Sequence, residues 1–206
     1  MKVIEDFIAI AKKEIGYAET GVNITKYNEW ADEESVWFAK VQGCSWCTTF
    51  IAWCIKELAA KYLIKVDDFY CDNKCCWSDH WMDNFKNACR FYYSPQIGDF
   101  AFRKGHIGIV SAIEPYGVVT TIEGNSNDRV EEISHVTSYW LGFGRPLWTL
   151  IRPRLGYNSE TTSAKEFVIN QGIYIGRNDG EMHWEDNLTR EEMALILYRY
   201  WKKFNK

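Results

Sequence analysis

The hydrophobic pattern changes near residue 97, and this change limits the folds available to the chain. Before it, residues 2–15 and 46–62 carry apolar side chains at helical spacing, and the second segment has no Gly or Pro. After it, GDFAFRKGHIGIVSAI and VVTTIEG are typical of short strands separated by Gly and Pro turns. A helical first half followed by an antiparallel sheet is an α+β pattern, in which the helices pack on the sheet.

A second change in composition follows residue 153 and predicts a domain boundary. The stretch RLGYNSETTS is polar and rich in turn residues, so we assign 1–152 to the main domain and 153–163 to a linker. Residues 164–206 are predicted to form a small helical pair, whose second helix has Thr189 as its N-cap. So short a segment cannot bury a large core, and the pair is expected to pack on the main domain or on a partner.

Charge and hydropathy argue against two classes of partner. The net charge is −4 and the chain has no basic run, which argues against nucleic acid. No stretch approaches the length of a membrane span. The N-terminal MKVIEDFIAIAKKEIG carries acidic residues where an export signal would be apolar. The protein is therefore expected to be made and folded in the cytoplasm, without a signal peptide.

The seven cysteines are expected to be free thiols, because their number is odd and no export signal is evident. Three of them, Cys44, Cys47 and Cys54, fall within QGCSWCTTFIAWC. With Ser45 as the helix N-cap, Cys47 lies in the first turn, where unpaired backbone N–H groups and the helix dipole lower a thiol pKa. Cys54 lies two turns further along and Cys44 precedes the helix. Cys47 is therefore the candidate nucleophile, and a small buried packing residue is the alternative.

His106 is the candidate base for this thiol. It opens the strand HIGIVSAI, and residues 106–113 and 118–125 flank a four-residue connection. This arrangement predicts a simple hairpin with Ile113 opposite Val118.

Extended to the far end of the hairpin, this register places Glu123 opposite Gly108 and Asn125 opposite His106. Glu123 is then a diagonal neighbour of His106 on the same face, with no side chain at Gly108 between them. A His flanked by Glu and Asn has its ring oriented and its tautomer fixed. A one-residue bulge would break this register. The alternatives are a surface histidine at a strand end and ordinary turn chemistry in EGNSND.

Four segments that occur in order carry a resemblance to a known family: WCTTFIAWC, GDFAFRKGHIGIV, TIEGNSN and YWLGFGRP. They resemble the CHAP-domain peptidoglycan amidohydrolases, a group of papain-like cysteine hydrolases. The resemblance covers most of residues 1–147, and EIGYAETGVNITKYNEW is similar to the lead-in of phage and bacterial wall lysins. It implies a papain-like fold and cleavage of an amide bond in peptidoglycan, either next to the sugar acid or within the peptide.

The resemblance also implies roles for individual residues. Cys47 corresponds to the nucleophile, His106 to the base and Glu123 to the residue that orients the base, with Asn125 assisting. Three aromatic residues are predicted to bind substrate: Trp46, Tyr27 and Trp30.

No metal and no cofactor are expected. VQGCSWC lacks the acidic loop that holds calcium in some members of the family. A less favoured hypothesis makes the Cys-rich segment a zinc site, formed by Cys71, Cys75, Cys76, His80 and Cys89. That spacing lacks the paired Cys-x2-Cys knuckles of common zinc modules, so packing through aromatic residues and free thiols is favoured.

The C-terminal segment 164–206 is similar to one surface-layer-homology repeat. Such repeats usually act in sets of three on wall polymer, so a single copy leaves wall attachment and homodimerisation as alternatives. The leading hypothesis for the whole chain is a cysteine amidohydrolase that acts on the cell wall after release from the cytoplasm. The second is a non-catalytic wall-binding or assembly protein that keeps the fold. The bond cleaved, the target organism and the biological role stay open.

Overall fold

The computed structural model describes residues 2–64, 69, 76–153 and 190–204. The helices of this part of the chain are α1 (Lys2–Lys12), α2 (Lys26–Glu33), α3 (Cys47–Ala59), α4 (Ser78–Asn87) and α5 (Arg190–Phe204). None of the described helices combines the length and apolar character needed to cross a membrane.

The strands are β1 (Tyr62–Leu63), β2 (Phe91–Tyr92), β3 (Phe100–Arg103), β4 (His106–Glu114), β5 (Val118–Ser126), β6 (Arg129–Val136), β7 (Gly142–Gly144) and β8 (Arg152–Pro153). Six of them form one antiparallel sheet in the order β2-β7-β3-β4-β5-β6, and β1 and β8 form a separate two-stranded sheet. Helices and an antiparallel sheet thus segregate along the chain, and the fold is α+β.

The core lies between the helices and one face of the sheet. Phe7 of α1 and Phe85 of α4 both meet the ring of Phe100 on β3, with ring centroids 6.2 and 5.9 Å apart. All three side chains are wholly buried, and burial of each such ring stabilises the fold by about 2 kcal/mol. The opposite face of the sheet carries a smaller apolar cluster that includes Val110 and Trp140.

Helix α3 lies directly against β5, which brings its first turn close to the sheet. A Cβ on Gly124 would come within 2.6 Å of the Cβ of Phe50, so only glycine allows this approach. Phe50, Ile51 and Leu58 of α3 are all fully buried. The helix predicted for 46–62 is therefore the central one, although it ends at Ala59.

Helix α4 was not expected from the Cys-rich segment in which it lies. Its buried residues Trp81, Met82 and Phe85 follow helical spacing and form its inner face. The helix has only ten residues, and polar residues separate the buried ones, so the helical spacing is difficult to recognise in the sequence. Cys71 and Cys75 of the hypothetical zinc site lie outside the described residues.

The chain divides into two compact units, Met1–Arg152 and Pro153–Lys206. In the second unit only α5 is described beyond Pro153. Apart from residue 153, the predicted linker 153–163 lies outside the described residues, as does the first helix of the predicted pair. On α5, the apolar side chains of Met193, Leu197 and Tyr200 are exposed.

The β4–β5 hairpin departs from the predicted register at its turn. Ile113 lies opposite Val119 rather than Val118, because the connection is the three-residue turn Pro115–Gly117. An extra residue at Ser111 then shifts the pairing by one position. Beyond this bulge the strands regain the register that the sequence predicts, so the two departures cancel at the far end of the hairpin.

Candidate active site

The candidate nucleophile, Cys47, is the first residue of α3. The predicted N-cap at Ser45 is wrong, since Trp46 occupies the cap position and makes no side-chain capping bond. The N-cap side chain thus does not bond to the first backbone N–H groups of α3, and the N–H of Thr48 is directed at the Cys47 sulfur. Cys47 is only 4% exposed but lines an open cleft.

Trp46 packs in the core, where it holds the start of α3 in place. Its indole Nε1 donates to Glu19 Oε2 at 2.9 Å, and its ring stacks on Tyr27 with centroids 5.4 Å apart. Both rings are 0% exposed. The predicted substrate-binding roles of Trp46 and Tyr27 are therefore corrected to packing roles, because neither ring reaches the cleft. The third aromatic residue, Trp30, is partly buried against the same core and does not line the cleft either.

Two side chains of α2, missed in the sequence, fix the loop that precedes Cys47. The fully buried amide of Asn28 donates to the carbonyls of Val41 and Cys44, at 2.9 and 2.8 Å. The carboxylate of Asp32 accepts from the backbone N–H groups of Val41 and Gln42, at 2.6 and 3.1 Å. Each contact joins residues nine or more positions apart, so no local sequence pattern predicts it.

His106 and Glu123 form a buried pair beside the thiol. His106 Nε2 lies 2.6 Å from Glu123 Oε2, and the two side chains are 7% and 2% exposed. Since Nε2 meets Glu123, the other ring nitrogen is the one left to the Cys47 thiol, whose interaction with the ring shifts the pKa of both groups. A Cβ on Gly108 would lie 2.8 Å from Glu123 Cγ, so the glycine leaves the room that the pair occupies, as the hairpin register predicts.

The second oxygen of Glu123 is also held. Thr121 donates its hydroxyl to Oε1 at 2.6 Å, and His135 Nε2 lies 3.9 Å from the same oxygen. Thr121 precedes Glu123 by two residues, and strand alternation puts the two side chains on one face, so this contact was available from the sequence. The contact of His135 could not be predicted in this way, because His135 lies on a different strand, β6.

Asn125 does not join this group. Its side-chain amide donates to Asn23 Oδ1 at 3.5 Å. Its φ of +57° is left-handed, and the β5–β6 pairing is irregular between Glu123 and Ser126. The irregular backbone breaks the strand alternation on which its placement beside His106 depended. The assisting role of Asn125 therefore stays a prediction, and the side-chain contact that the structure gives it is the one to Asn23.

Cys47, His106 and Glu123 shift one another's pKa values. Burial raises the pKa of the Cys47 thiol, but His106, through its interaction and charge, and the hydrogen bonds from Thr48 together outweigh burial and leave the pKa below its ordinary value. Burial lowers the pKa of His106, yet its bonds to Cys47 and Glu123 raise it to about 9. Burial also raises the pKa of Glu123, whose bonds from His106 and Thr121 bring it below normal. These shifts favour the ion pair of Cys47 thiolate and His106 imidazolium over the neutral pair, with Glu123 as a carboxylate beside the ring.

A cleft of about 310 Å³ opens in front of Cys47. Its lining comes from the loop before α3, the start of α3, the start of α4 and the turn before β4: Cys44, Ser45, Cys47, Thr48, Cys76, Trp77, Ser78, Asp79 and Gly105. An activated thiol at a helix start, with a charged imidazole beside it, is suited to attack on a carbonyl carbon. Among the described residues, no group of three or more His, Cys, Asp or Glu side chains is placed to hold a metal ion.

Residues 39–125 match the CHAP domain family. The matched segment contains Cys47, His106 and Glu123. No curated protein and no solved structure matches the chain. The match covers less than half of the chain and supports its resemblance to the CHAP-domain peptidoglycan hydrolases.

Proposed function

We propose that this protein is a cysteine-dependent hydrolase that cleaves an amide bond of bacterial peptidoglycan, on a papain-like fold. The observation that carries the proposal is the buried row of Cys47, His106 and Glu123 at the edge of an open cleft. Peptidoglycan as the substrate rests on the family match, which spans all three residues.

In the proposed reaction the Cys47 thiolate attacks the carbonyl carbon of the scissile amide. The oxyanion that forms is stabilised by backbone N–H groups in the first turn of α3. The His106 imidazolium gives its proton to the departing amine, which leaves a thioester on Cys47. His106, now neutral, takes a proton from water as that water attacks the thioester. The acid product then departs, and the thiolate and imidazolium are restored.

Glu123 acts in this scheme through His106. Its charge stabilises the imidazolium, and its hydrogen bond sets the plane of the ring. Thr121 holds the carboxylate from its other side, so that the ring is fixed by two successive bonds.

Digestion of purified peptidoglycan, followed by mass analysis of the fragments, tests the proposal. New free amino groups with matching fragment masses are expected, and the masses identify the bond that is cut. Intact peptidoglycan after prolonged digestion would instead favour the second hypothesis, a wall-binding or assembly protein without activity.

The pH profile of kcat/KM on soluble wall fragments is expected to be bell-shaped. The reactive ion pair forms as the pH rises through the lowered pKa of Cys47, and it is lost as the pH rises through the His106 pKa of about 9. The alkaline limb should therefore lie near 9, and Glu123→Gln should move it to lower pH because the carboxylate helps to raise that pKa. An alkaline limb that stays in place in Glu123→Gln would contradict the assigned role of Glu123.

Removal of residues 154–206 is expected to leave a folded protein that still cleaves soluble wall fragments. Met1–Arg152 forms a compact unit of its own and contains the whole candidate site. A wall-binding tail predicts weaker binding of the truncated protein to intact walls in a pull-down assay. A dimerising tail predicts that the full chain has the solution mass of a dimer by light scattering and the truncated protein that of a monomer. The exposed apolar side chains of α5 would form the interface that the truncation removes. Unfolding of the truncated protein would show that the boundary at residue 153 is misplaced.

We also propose that the protein acts on the wall after release from the cytoplasm in which it is made, because the proposed substrate lies outside the membrane. Zymography of cell fractions tests this. Lytic activity should reach the wall or the medium, and activity confined to the cytoplasm of intact cells throughout growth would contradict it.

A further inference from the structure

The wall of the cleft formed by the start of α4 has no role in the chemistry described above. It presents two side chains of distinct character, Trp77 and Asp79, to the same space that Cys47 lines. Trp77 is 74% exposed, although tryptophan is usually among the more buried residues. An exposed indole at the mouth of a reactive cleft is available to a ligand.

Asp79 supplies a fixed negative charge to this wall. Its Oδ1 accepts from the backbone N–H of Gly105 at 2.9 Å, which anchors the carboxylate to the turn directly before His106. Its Oδ2 makes no hydrogen bond or ion pair within the described part of the chain. Apart from the reactive thiolate, Asp79 is the one formally charged side chain among the described residues that line the cleft.

We propose that Trp77 and Asp79 form a subsite for a protonated amine of the substrate, next to the scissile amide. An indole face is the best aromatic partner for an ammonium group, and a carboxylate with an unpaired oxygen supplies the counter-charge. The inference rests on the proposed function for the identity of its ligand. In a wall peptide the matching group is the side-chain amine of the diamino acid, which is free wherever that residue is not cross-linked.

The subsite predicts a preference for peptides that carry this free amine. Because Cys47, Trp77 and Asp79 line one cleft, an amine bound at the subsite lies in the same cleft while Cys47 meets the scissile carbonyl. A neutral sugar could also stack on Trp77, but it would gain nothing from the charge of Asp79. Dependence on that charge therefore separates an amine site from a sugar site.

Calorimetric titration of the full chain carrying Cys47→Ala tests binding without turnover. The two probes are a soluble disaccharide peptide with a free lysine ε-amine and the same molecule acetylated on that amine. The free amine should bind roughly five- to tenfold more tightly than the acetylated form. Adding Asp79→Asn should reduce this ratio to about twofold or less, because Asn keeps an acceptor for Gly105 but loses the charge.

Two further variants make the test specific. Asp83→Asn is the matched control, because it makes the same change one turn further along α4, at a residue that pairs with Lys86 and does not line the cleft. It should leave the ratio unchanged. Trp77→Ala should lower the ratio, and Trp77→Phe should restore part of it, since a smaller ring keeps a weaker cation site.

Equal affinity for the two probes, no binding of either, or a ratio that survives Asp79→Asn would each overturn the subsite. So would Trp77→Ala weakening both probes alike with the ratio intact, which would indicate a sugar platform. Hydrolysis of the two peptides by the unmodified protein is measured separately. Hydrolysis without amine-dependent binding refutes only the subsite, and amine-dependent binding without hydrolysis refutes only the proposed reaction.

Discussion

Replacement of Cys47 by Ala is expected to lower the rate of peptidoglycan hydrolysis by at least about a thousandfold while the protein stays folded. The thiolate forms the covalent bond in the proposed mechanism, and no other thiol has its combination of helix start, cleft and imidazole partner among the described residues. Cys47→Ser should be equally inactive, because a hydroxyl beside His106 ionises far less readily than a thiol. Release of amino groups from purified walls gives the rate, and thermal unfolding by circular dichroism gives the stability.

Cys54→Ala is the matched control for this prediction. Cys54 lies on the same helix, is 0% exposed and has its pKa raised well above normal by burial, so it is an inert packing residue. Its truncation should lower the free energy of unfolding by about 1 kcal/mol or more and leave activity largely intact. Loss of activity at full stability in Cys54→Ala, with activity kept in Cys47→Ala, would mean that the nucleophile is misassigned.

Loss of the His106 ring is expected to be about as damaging as loss of the thiol. His106 holds Cys47 as a thiolate and supplies the proton to the leaving amine, so His106→Ala removes both contributions together. Because the two residues act as a unit, the double variant with Cys47→Ala should be no slower than either single variant by more than a few-fold. Rates that multiply in the double variant would show that the two side chains act independently.

Glu123→Gln should be milder than His106→Ala, with a loss of roughly ten- to a hundredfold. Gln keeps an acceptor for the ring but removes the charge that stabilises the imidazolium. Glu131→Gln is a suitable control, since Glu131 lies opposite Glu123 on β6 and bonds to Ser126 and Asn127 instead. Equal losses in the two variants would point to general damage to the sheet and not to a role at His106.

The α+β class, the central helix and the grouping of the three candidate residues could be predicted from the sequence because each depends on local patterns. Helical spacing over 46–62 predicts a buried helix, and the helix start places Cys47 at its N-terminal end. Strand alternation predicts that Glu123 faces the glycine at position 108. The hairpin prediction succeeded at this end although its turn was wrong, because the bulge at Ser111 offsets the shorter connection.

The tertiary structure decided which distant segments are in contact. Aromatic residues at a reactive cysteine suggest a substrate groove, yet Trp46 and Tyr27 stack on each other in the core, because burying two large rings stabilises the fold more than leaving them in water. Asn125 has a left-handed backbone and its side chain donates to Asn23, about a hundred residues earlier in the chain. Asn28 reaches a loop 13 to 16 residues further along the chain. Trp77 and Asp79 follow Cys47 by 30 or more residues, and they share its cleft because the start of α4 is bonded to the turn at Gly105. Sequence patterns record which faces are apolar and where the backbone turns, whereas which surfaces meet depends on how the whole chain fills its core.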